Sequence, residues 1–246
     1  MDLGLQDCRA LVVGASKGLG KACAKALVDE GARVFICSRD IEELRRAAVE
    51  INAAGYAAAD VSRPAEIKRI VAEAIAALGG LDCLVTNAGG PPTASFEKAG
   101  DGDWDIAYQL NLMSAVRLIR EALPTLKSSG RGRIVNLTGY GVKEPMTDLV
   151  VSDSVRAGVT VMAKTIASDL APHGITVASV APGYVATDMT VEELATPAGD
   201  LIRAQSPFDR VARPEEVAAA IVYLASPEAT WASGSVLDLN GASYLR

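Results

Sequence analysis

Short apolar runs alternate with segments of helical spacing along the whole chain, and this alternation constrains the fold more than any other feature. The apolar runs, rich in β-branched residues, are 10–13, 34–37, 56–59, 83–86, 134–137, 177–180 and 236–239. The segments with helical spacing include 41–53, 64–78, 103–127, 152–171 and 214–225. Buried parallel strands covered by helices on both faces produce this pattern. The sequence therefore predicts an α/β class, doubly wound Rossmann fold with a single parallel sheet of about seven strands.

Length and composition limit the organisation and the partners of the chain. Its 246 residues suit one large α/β domain spanning 1–246, because no linker rich in Pro, Gly or Ser divides them. A net charge of −6 disfavours nucleic acid and anionic membranes as partners. The N-terminus lacks the pattern of a signal peptide, and no run of about 20 apolar residues would span a bilayer. We expect a cytoplasmic protein that acts on a small-molecule substrate.

The cysteines and the single histidine do not form a metal-binding or redox motif. The four cysteines each stand alone within a strand or helix pattern and form no CxxC pair, so they are predicted to be buried thiols. The histidine, His173, lies in a turn that ends a helix. We therefore predict no metal site.

A glycine-rich turn follows the first apolar run and opens the first helical segment. Residues 14–20 read Gly-Ala-Ser-Lys-Gly-Leu-Gly. Glycines allow backbone angles closed to other residues and a close approach of the backbone to a ligand. The N-terminus of the following helix supplies free N–H donors and the positive end of its dipole. This combination indicates a site for the pyrophosphate of a dinucleotide.

The residues after the second run indicate which dinucleotide binds. Ser38 stands where an aspartate would accept hydrogen bonds from both ribose hydroxyls and repel a 2′-phosphate. Ser38 is able to donate a hydrogen bond to that phosphate, and Arg39 is able to pair with it. Lys17 in the glycine turn adds a second positive charge. NADP(H) is therefore favoured over NAD(H); the alternative is that Arg39 is a solvated loop charge.

Further candidates follow the third, fourth and sixth runs. Asp60, followed by Val61, is placed to bond the adenine, although it would also suit a helix cap. The small residues Asn-Ala-Gly at 87–89 would let the backbone lie against a cofactor, or would form a plain turn. The segment Pro-Gly-Tyr-Val-Ala-Thr at 182–187 combines a backbone bend with the hydroxyl of Thr187, which would suit a carboxamide.

These motifs together resemble the short-chain dehydrogenase/reductase family, and among its members the bacterial 3-oxoacyl-carrier-protein reductases, over essentially the whole chain. They are completed by Asn111 in a long helical segment and by Gly-Arg-Ile-Val-Asn at 132–136. The resemblance implies that the glycine turn binds pyrophosphate, that 87–89 supports adenine and ribose, and that Thr187 contacts the nicotinamide amide. The resulting cofactor site comprises Gly14, Ser16, Lys17, Gly18, Leu19, Gly20, Ser38, Arg39, Asp60, Val61, Asn87, Ala88, Gly89, Arg156, Pro182, Gly183, Val185 and Thr187.

The catalytic positions implied by the resemblance depart from the family pattern. The family uses a serine after the fifth strand, a Tyr-x-x-x-Lys on the next helix and an asparagine on the preceding one. Here Gly139, Ser152 and Arg156 occupy the first three positions, and Asn111 is retained. Tyr140 follows Gly139, and we expect it to act as the substitute acid with Lys143 lowering its pKa, although it also suits a loop aromatic. The predicted catalytic set is Asn111, Ser152, Arg156 and Tyr140.

Three functions remain open from the sequence. The first is an NADP(H)-dependent oxidoreductase with an atypical site, acting on a small or medium carbonyl or alcohol. The second is a nucleotide-binding protein with little or no reductase activity. The third is a non-redox isomerase or dehydratase on the same fold.

Apolar positions beyond those needed to cover one sheet face predict a homo-oligomer; the alternative is that they are ordinary core. The family resemblance implies a homotetramer in which the two long helices pair. The positions are Leu112, Val116, Leu149, Val150, Val159 and Met162.

Residues 189–206 are predicted to form a mobile cover over the substrate pocket.

Overall fold

Seven parallel strands form one sheet in the computed structural model, which describes residues 2–245 apart from the side chains of Asp188 and Met189. The strands are β1 (Arg9–Val13), β2 (Arg33–Ser38), β3 (Gly55–Ala58), β4 (Cys83–Thr86), β5 (Arg133–Leu137), β6 (Thr176–Pro182) and β7 (Val236–Leu239). Their order across the sheet is β3-β2-β1-β4-β5-β6-β7. Successive strands are added in one direction from β1 to β3 and in the opposite direction from β4 to β7. A crevice therefore opens between β1 and β4 at the carboxyl ends of the strands. The predicted fold class is confirmed, and all seven predicted strands are present.

The helices connect the strands and also build the segment after β6. They are α1 (Gly18–Asp29), α2 (Ile41–Glu50), α3 (Pro64–Leu78), α4 (Asp101–Ala107), α5 (Ser114–Ser129), α6 (Val150–Leu170), α7 (Asp188–Leu194), α8 (Ala198–Ala204) and α9 (Pro214–Ala225). The predicted 103–127 helix is divided, because a π-helical segment, Tyr108–Met113, joins α4 to α5. The helix predicted over 41–53 ends at Glu50, and Asn52 just beyond it has a φ of 56°. None of these helices is both long and apolar enough to cross a membrane.

Alternate residues of each strand fill two cores on opposite faces of the sheet. In β1, Ala10 and Val12 pack with α1, α2 and α9, whereas Leu11 and Val13 pack with α3, α5 and α6. The cysteines are buried thiols as predicted. Burial raises the pKa of Cys23 and Cys37 to about 12, so these thiols stay protonated and serve as core residues.

An ion network secures the amino ends of the strands, at the edge opposite the crevice. Asp82 is buried and accepts hydrogen bonds from Arg9 at 2.7 Å and Arg131 at 3.1 Å. Burial alone would raise the pKa of Asp82, but these hydrogen bonds lower it to about 2. Because this folded-state pKa lies below the ordinary value, the network stabilises the fold above about pH 4 and loses its contribution as the pH falls through about 2.

The apolar side chains predicted to form an oligomer interface are not all exposed to solvent. Val159 is 3% exposed and belongs to the core, so its assignment to an interface was wrong. The exposed apolar side chains on the two long helical segments are instead Ile106, Tyr108 and Val161.

Candidate active site

The glycine turn forms a tight bend between β1 and α1. Gly14 and Gly18 have φ angles of +66° and +54°, a region that favours glycine. A Cβ atom on Gly20 would collide with the carbonyl of Gly14, so only glycine permits this approach. Asn87 Nδ2 donates to the Gly14 carbonyl oxygen at 3.2 Å and thereby ties the turn to the end of β4.

A cleft of about 550 Å³ opens along the carboxyl ends of β1, β2 and β4 and brings together most of the predicted cofactor site. The predicted residues that line it are Gly14, Ser16, Lys17, Gly18, Leu19, Gly20, Ser38, Arg39, Val61, Asn87, Ala88, Gly89 and Thr187. The cleft is also lined by Val13, Cys37 and Ala59, which adjoin predicted residues at the strand ends, and by two residues away from the strands that sequence reasoning missed, Leu110 and Glu192. Both come from segments whose distance from the sheet is set by tertiary packing, and no local pattern marks them.

Polar side chains from three elements meet at the β2 end of the cleft. Ser16 Oγ lies 3.0 Å from Ser38 Oγ. Lys17 Nζ lies 3.3 Å from Glu43 Oε1 in the first turn of α2. Arg39 lines the same end of the cleft. This end therefore presents two cations, and one of them is already paired with a carboxylate.

Asp60 has its own local hydrogen bonds. Its carboxylate accepts from the amide and the hydroxyl of Ser62, at 2.9 and 2.7 Å. Burial alone would raise its pKa, but the hydrogen bonds from Ser62 lower it. Asp60 does not cap α3, whose N-cap is Arg63. Its assignment to the adenine remains a prediction.

The segment after β6 contributes mainly backbone. Val185 is 7% exposed and packs in the core, and Ala186 N donates to the carbonyl of Ala212 at 2.8 Å. Pro182 is the last residue of β6, and Gly183 N donates to the carbonyl of Leu239 at 2.9 Å. These contacts fix the bend that brings Thr187 to the cleft.

Asn111 lies in the π-helical segment, which turns its side chain toward the end of β4. Its Nδ2 donates to the Gly89 carbonyl oxygen at 2.9 Å. Its Oδ1 is buried and has no hydrogen-bond partner among the described residues. A cavity of about 10 Å³ adjoins it, and its walls include Thr138 and Arg156. That volume is close to the size of one water molecule, which suits the unpaired oxygen.

Arg156 joins the ends of β4 and β5 to α6. Its NH2 group donates to the carbonyl oxygens of Ala88 at 3.3 Å and Gly89 at 3.4 Å, and its NH1 group to that of Thr138 at 3.4 Å. Its Nε donates to Ser152 Oγ, one helical turn earlier, at 3.3 Å. Burial lowers its pKa, yet an arginine remains protonated. Because Arg156 donates to the Ser152 oxygen, the serine proton stays available for another acceptor.

Tyr140 does not meet the expectation that Lys143 activates it. Lys143 Nζ pairs with Asp238 of β7 at 2.7 Å, and Tyr140 donates its hydroxyl to Met146 Sδ at 2.8 Å. Burial raises the pKa of Tyr140, and the neighbouring Tyr184 raises it further. The predicted lowering of this pKa was therefore wrong, and the phenol is a weaker acid than a free tyrosine.

The loop after Gly139 is held by a carboxyl that sequence reasoning missed. Asp153 is buried, and its Oδ2 accepts from Met146 N at 3.0 Å. A Cβ atom on Gly141 would collide with this carboxyl group. Burial raises the pKa of Asp153. The residue fixes the path of the loop that carries Tyr140.

The comparison with known proteins identifies the family. Residues 14–241 match the profile of a family described as enoyl-(acyl carrier protein) reductase, within the short-chain dehydrogenases/reductases. The chain belongs to the short-chain dehydrogenase/reductase family. Among its curated relatives is the 3-oxoacyl-[acyl-carrier-protein] reductase FabG of Vibrio cholerae, 32% identical over 99% of this chain and 100% of that protein.

Two solved structures show how closely this short-chain dehydrogenase/reductase matches family members with bound cofactor. The L-sorbose reductase of Gluconobacter frateurii, complexed with NADPH and L-sorbose, has a TM-score of 0.92 and 28% identity, with 98% of each chain covered. An NADPH-bound short-chain oxidoreductase of Pseudomonas aeruginosa PAO1, described as having an atypical catalytic centre, has a TM-score of 0.91 and 29% identity, with 98% of this chain and 99% of that chain covered.

Proposed function

We propose that this chain is an NADP(H)-dependent oxidoreductase that interconverts a small or medium carbonyl compound and its alcohol at a non-standard catalytic site. The observation that carries the proposal is the continuity of the site. Asn87 and Ala88 form part of the wall of the cleft and also of the small cavity beside Asn111 and Arg156. This continuity supports a cofactor that extends from Arg39 toward the Ser152–Arg156 pair.

The residues present fit a phosphorylated dinucleotide. The glycine turn and the start of α1 offer backbone N–H groups to a pyrophosphate. Added Cβ atoms would meet no other atom within 4 Å at Gly89 and Gly90, so the backbone is open to a ligand there. Lys17 and Arg39 supply cations where a 2′-phosphate would lie. The NADPH in the neighbouring structures agrees with this assignment.

The proposed chemistry places the proton-transfer task on Ser152 and Arg156 instead of a tyrosine and a lysine. NADPH held in the cleft would supply the hydride that reduces the carbonyl carbon. The Ser152 hydroxyl would transfer its proton to the carbonyl oxygen. Arg156, which donates a hydrogen bond to Ser152 Oγ, would stabilise the negative charge left on that oxygen. Because Arg156 stays protonated and does not relay the proton, the Ser152 proton would be replaced from solvent through a water molecule held in the small cavity beside Asn111.

The missing phenol predicts slow turnover. A serine hydroxyl is a much weaker acid than a phenol with a pKa of about 10. Loss of a positioned general acid costs roughly 10²–10⁴ in rate. The Pseudomonas neighbour, which is described as having an atypical catalytic centre, is a precedent for a family member with a non-standard site.

A homotetrameric assembly and a cytoplasmic location complete the proposal. Ile106, Tyr108 and Val161 are 52%, 44% and 64% exposed on the two long helical segments. Large apolar side chains exposed on neighbouring helices suit a symmetric interface between copies.

The two short helices α7 and α8 occupy the segment predicted to cover the substrate, and Glu192 of α7 lines the cleft.

Arg39→Ala should remove most of the preference for the phosphorylated cofactor. We expect the native protein to bind NADPH several-fold more tightly than NADH, because a charge-assisted bond to the 2′-phosphate is available only in NADPH. The variant should weaken NADPH binding by about tenfold, which corresponds to about 1.4 kcal/mol, and leave NADH almost unchanged. Calorimetric or fluorescence titration measures both constants.

Arg45→Ala is the matched control for this test. Arg45 lies on α2 and pairs with Glu42 at 3.0 Å on the exposed surface. It should leave both affinities as they are. Equal affinity of the native protein for NADPH and NADH would contradict the proposed cofactor.

A further inference from the structure

Glu43 is the one carboxylate that contacts the glycine turn at the proposed phosphate end of the cleft, among the residues the structure describes. Helix α2 starts directly after Asp40, whose carboxylate caps it by accepting from the amides of Glu42 and Glu43, both at 2.9 Å. This cap fixes the first turn of α2 beside the glycine turn. Glu43 Oε1 lies 3.3 Å from Lys17 Nζ, and Glu43 Oε2 accepts from Ser16 Oγ at 3.5 Å.

The carboxylate of Glu43 therefore engages two groups that a 2′-phosphate would use. The Ser16 hydroxyl also lies 3.0 Å from the Ser38 hydroxyl. A short chain of contacts therefore runs from Ser38 at the end of β2, through Ser16 in the glycine turn, to Glu43 in α2. Lys17 and Glu43 are 64% and 39% exposed, so their pairing is weak and can be exchanged for another partner. A phosphate monoester carries a charge of about −1.5 to −2 at pH 7, and it would meet the negative charge of Glu43 on approaching Lys17.

We propose that Glu43 determines cofactor selectivity by opposing the 2′-phosphate: it withholds Lys17 and Ser16 and adds a like charge. The inference rests on the proposed function, since it assumes a nucleotide in this cleft. Arg39 attracts the phosphate, whereas Glu43 reduces that attraction. The native chain therefore retains useful affinity for a nucleotide with a free 2′-hydroxyl, which has no charge for Glu43 to repel.

Glu43→Gln tests the proposal with two small probes, 2′,5′-ADP and 5′-AMP. Glutamine removes the charge and keeps the size of the side chain. It also keeps one of the two acceptor oxygens, so only one of the contacts to Lys17 and Ser16 is preserved. We expect 2′,5′-ADP to bind about 3- to 10-fold more tightly and 5′-AMP to change by less than about twofold. The gain should shrink as salt is raised from low to physiological concentration, because exposed charges are screened.

Glu42→Gln provides the matched control. Glu42 is the adjacent residue in the same helical turn, is exposed, and pairs with Arg45 rather than with the glycine turn. It should leave both affinities unchanged. Thermal unfolding checks that each variant is folded, and Glu43→Ala serves as a second variant with the same expected direction.

The outcomes separate this inference from the proposed function. If Arg39→Ala weakens 2′,5′-ADP while Glu43→Gln leaves it unchanged or weakens it, the phosphate site stands and the role of Glu43 is overturned. A weaker complex would mean that Glu43 orients Lys17 for the phosphate. If the native protein binds neither probe, the proposed function fails and the inference fails with it. A salt-sensitive gain that is confined to 2′,5′-ADP supports both.

Discussion

The triple substitution Gly139→Ser, Ser152→Tyr and Arg156→Lys should raise the rate of carbonyl reduction by about 10²–10⁴-fold. It restores a phenol as the acid, a lysine beside it and a serine hydroxyl for the substrate carbonyl. Gly139 is compatible with the change, because its φ of −173° is extended backbone and a Cβ atom there meets nothing within 4 Å. Ser152 is partly exposed, so a larger side chain at this position is not confined on all sides by the core.

The comparison is made as kcat/KM for NADPH oxidation with a panel of simple ketones, 3-oxoacyl thioesters and ketoses. Gly139→Ser alone is the control, and it should change the rate by less than about tenfold because the phenol is still missing and Ser152 remains the acid. Cofactor affinity is measured in parallel, since Arg156 also bonds the carbonyl oxygens of Gly89 and Thr138. A native protein that already reduces a ketone at a rate typical of the family would contradict this account of the site.

Ser152→Ala should reduce turnover by about 10²-fold, whereas Tyr140→Phe should reduce it by less than tenfold. The serine receives a hydrogen bond from Arg156 and keeps its own proton for the substrate. The Tyr140 hydroxyl is directed to Met146, and burial raises its pKa. Single-turnover and steady-state rates with NADPH measure the two effects, and cofactor affinity should stay nearly constant in both variants.

Tyr140→Phe is itself the matched control, since it removes one hydroxyl from the same side of the site. The ring also contacts Tyr184 and Tyr244, with centroid separations of 6.1 and 5.9 Å, so its packing is preserved in phenylalanine. Activity that survives Ser152→Ala and collapses in Tyr140→Phe would return the acid role to Tyr140.

The sheet, its strands and most of the cofactor cleft follow from local patterns in the sequence. Strand ends at a known edge of a parallel sheet bring the glycine turn, Ser38 and Asn87 together without any knowledge of side-chain packing. The spacing of four residues also places Ser152 and Arg156 on one face of α6, where their side chains meet at 3.3 Å.

The remaining parts of the site depend on the directions in which loops and side chains point, and the spacing of residues in the sequence does not give these directions. Lys143 is three residues from Tyr140, yet the intervening 3₁₀ turn, Tyr140–Val142, leads it away to Asp238. The π-helical segment around Asn111 arises where α4 continues into α5, and its sequence carries no glycine or proline to mark it. Glu43 was overlooked because its partner, Lys17, is 26 residues away in the chain.

Transfer of deuterium from NADPH labelled at nicotinamide C4 tests the central claim most directly. In the predicted reaction the C–D bond of the cofactor breaks, its electron pair forms a C–D bond at the carbonyl carbon, and the oxygen takes a proton from Ser152. The account predicts slow formation of NADP⁺ and an alcohol that carries the deuterium at the former carbonyl carbon, as measured by mass spectrometry. Tight binding of NADPH with no transfer to any member of the panel, or conversion of a substrate while the labelled NADPH stays intact, would contradict it.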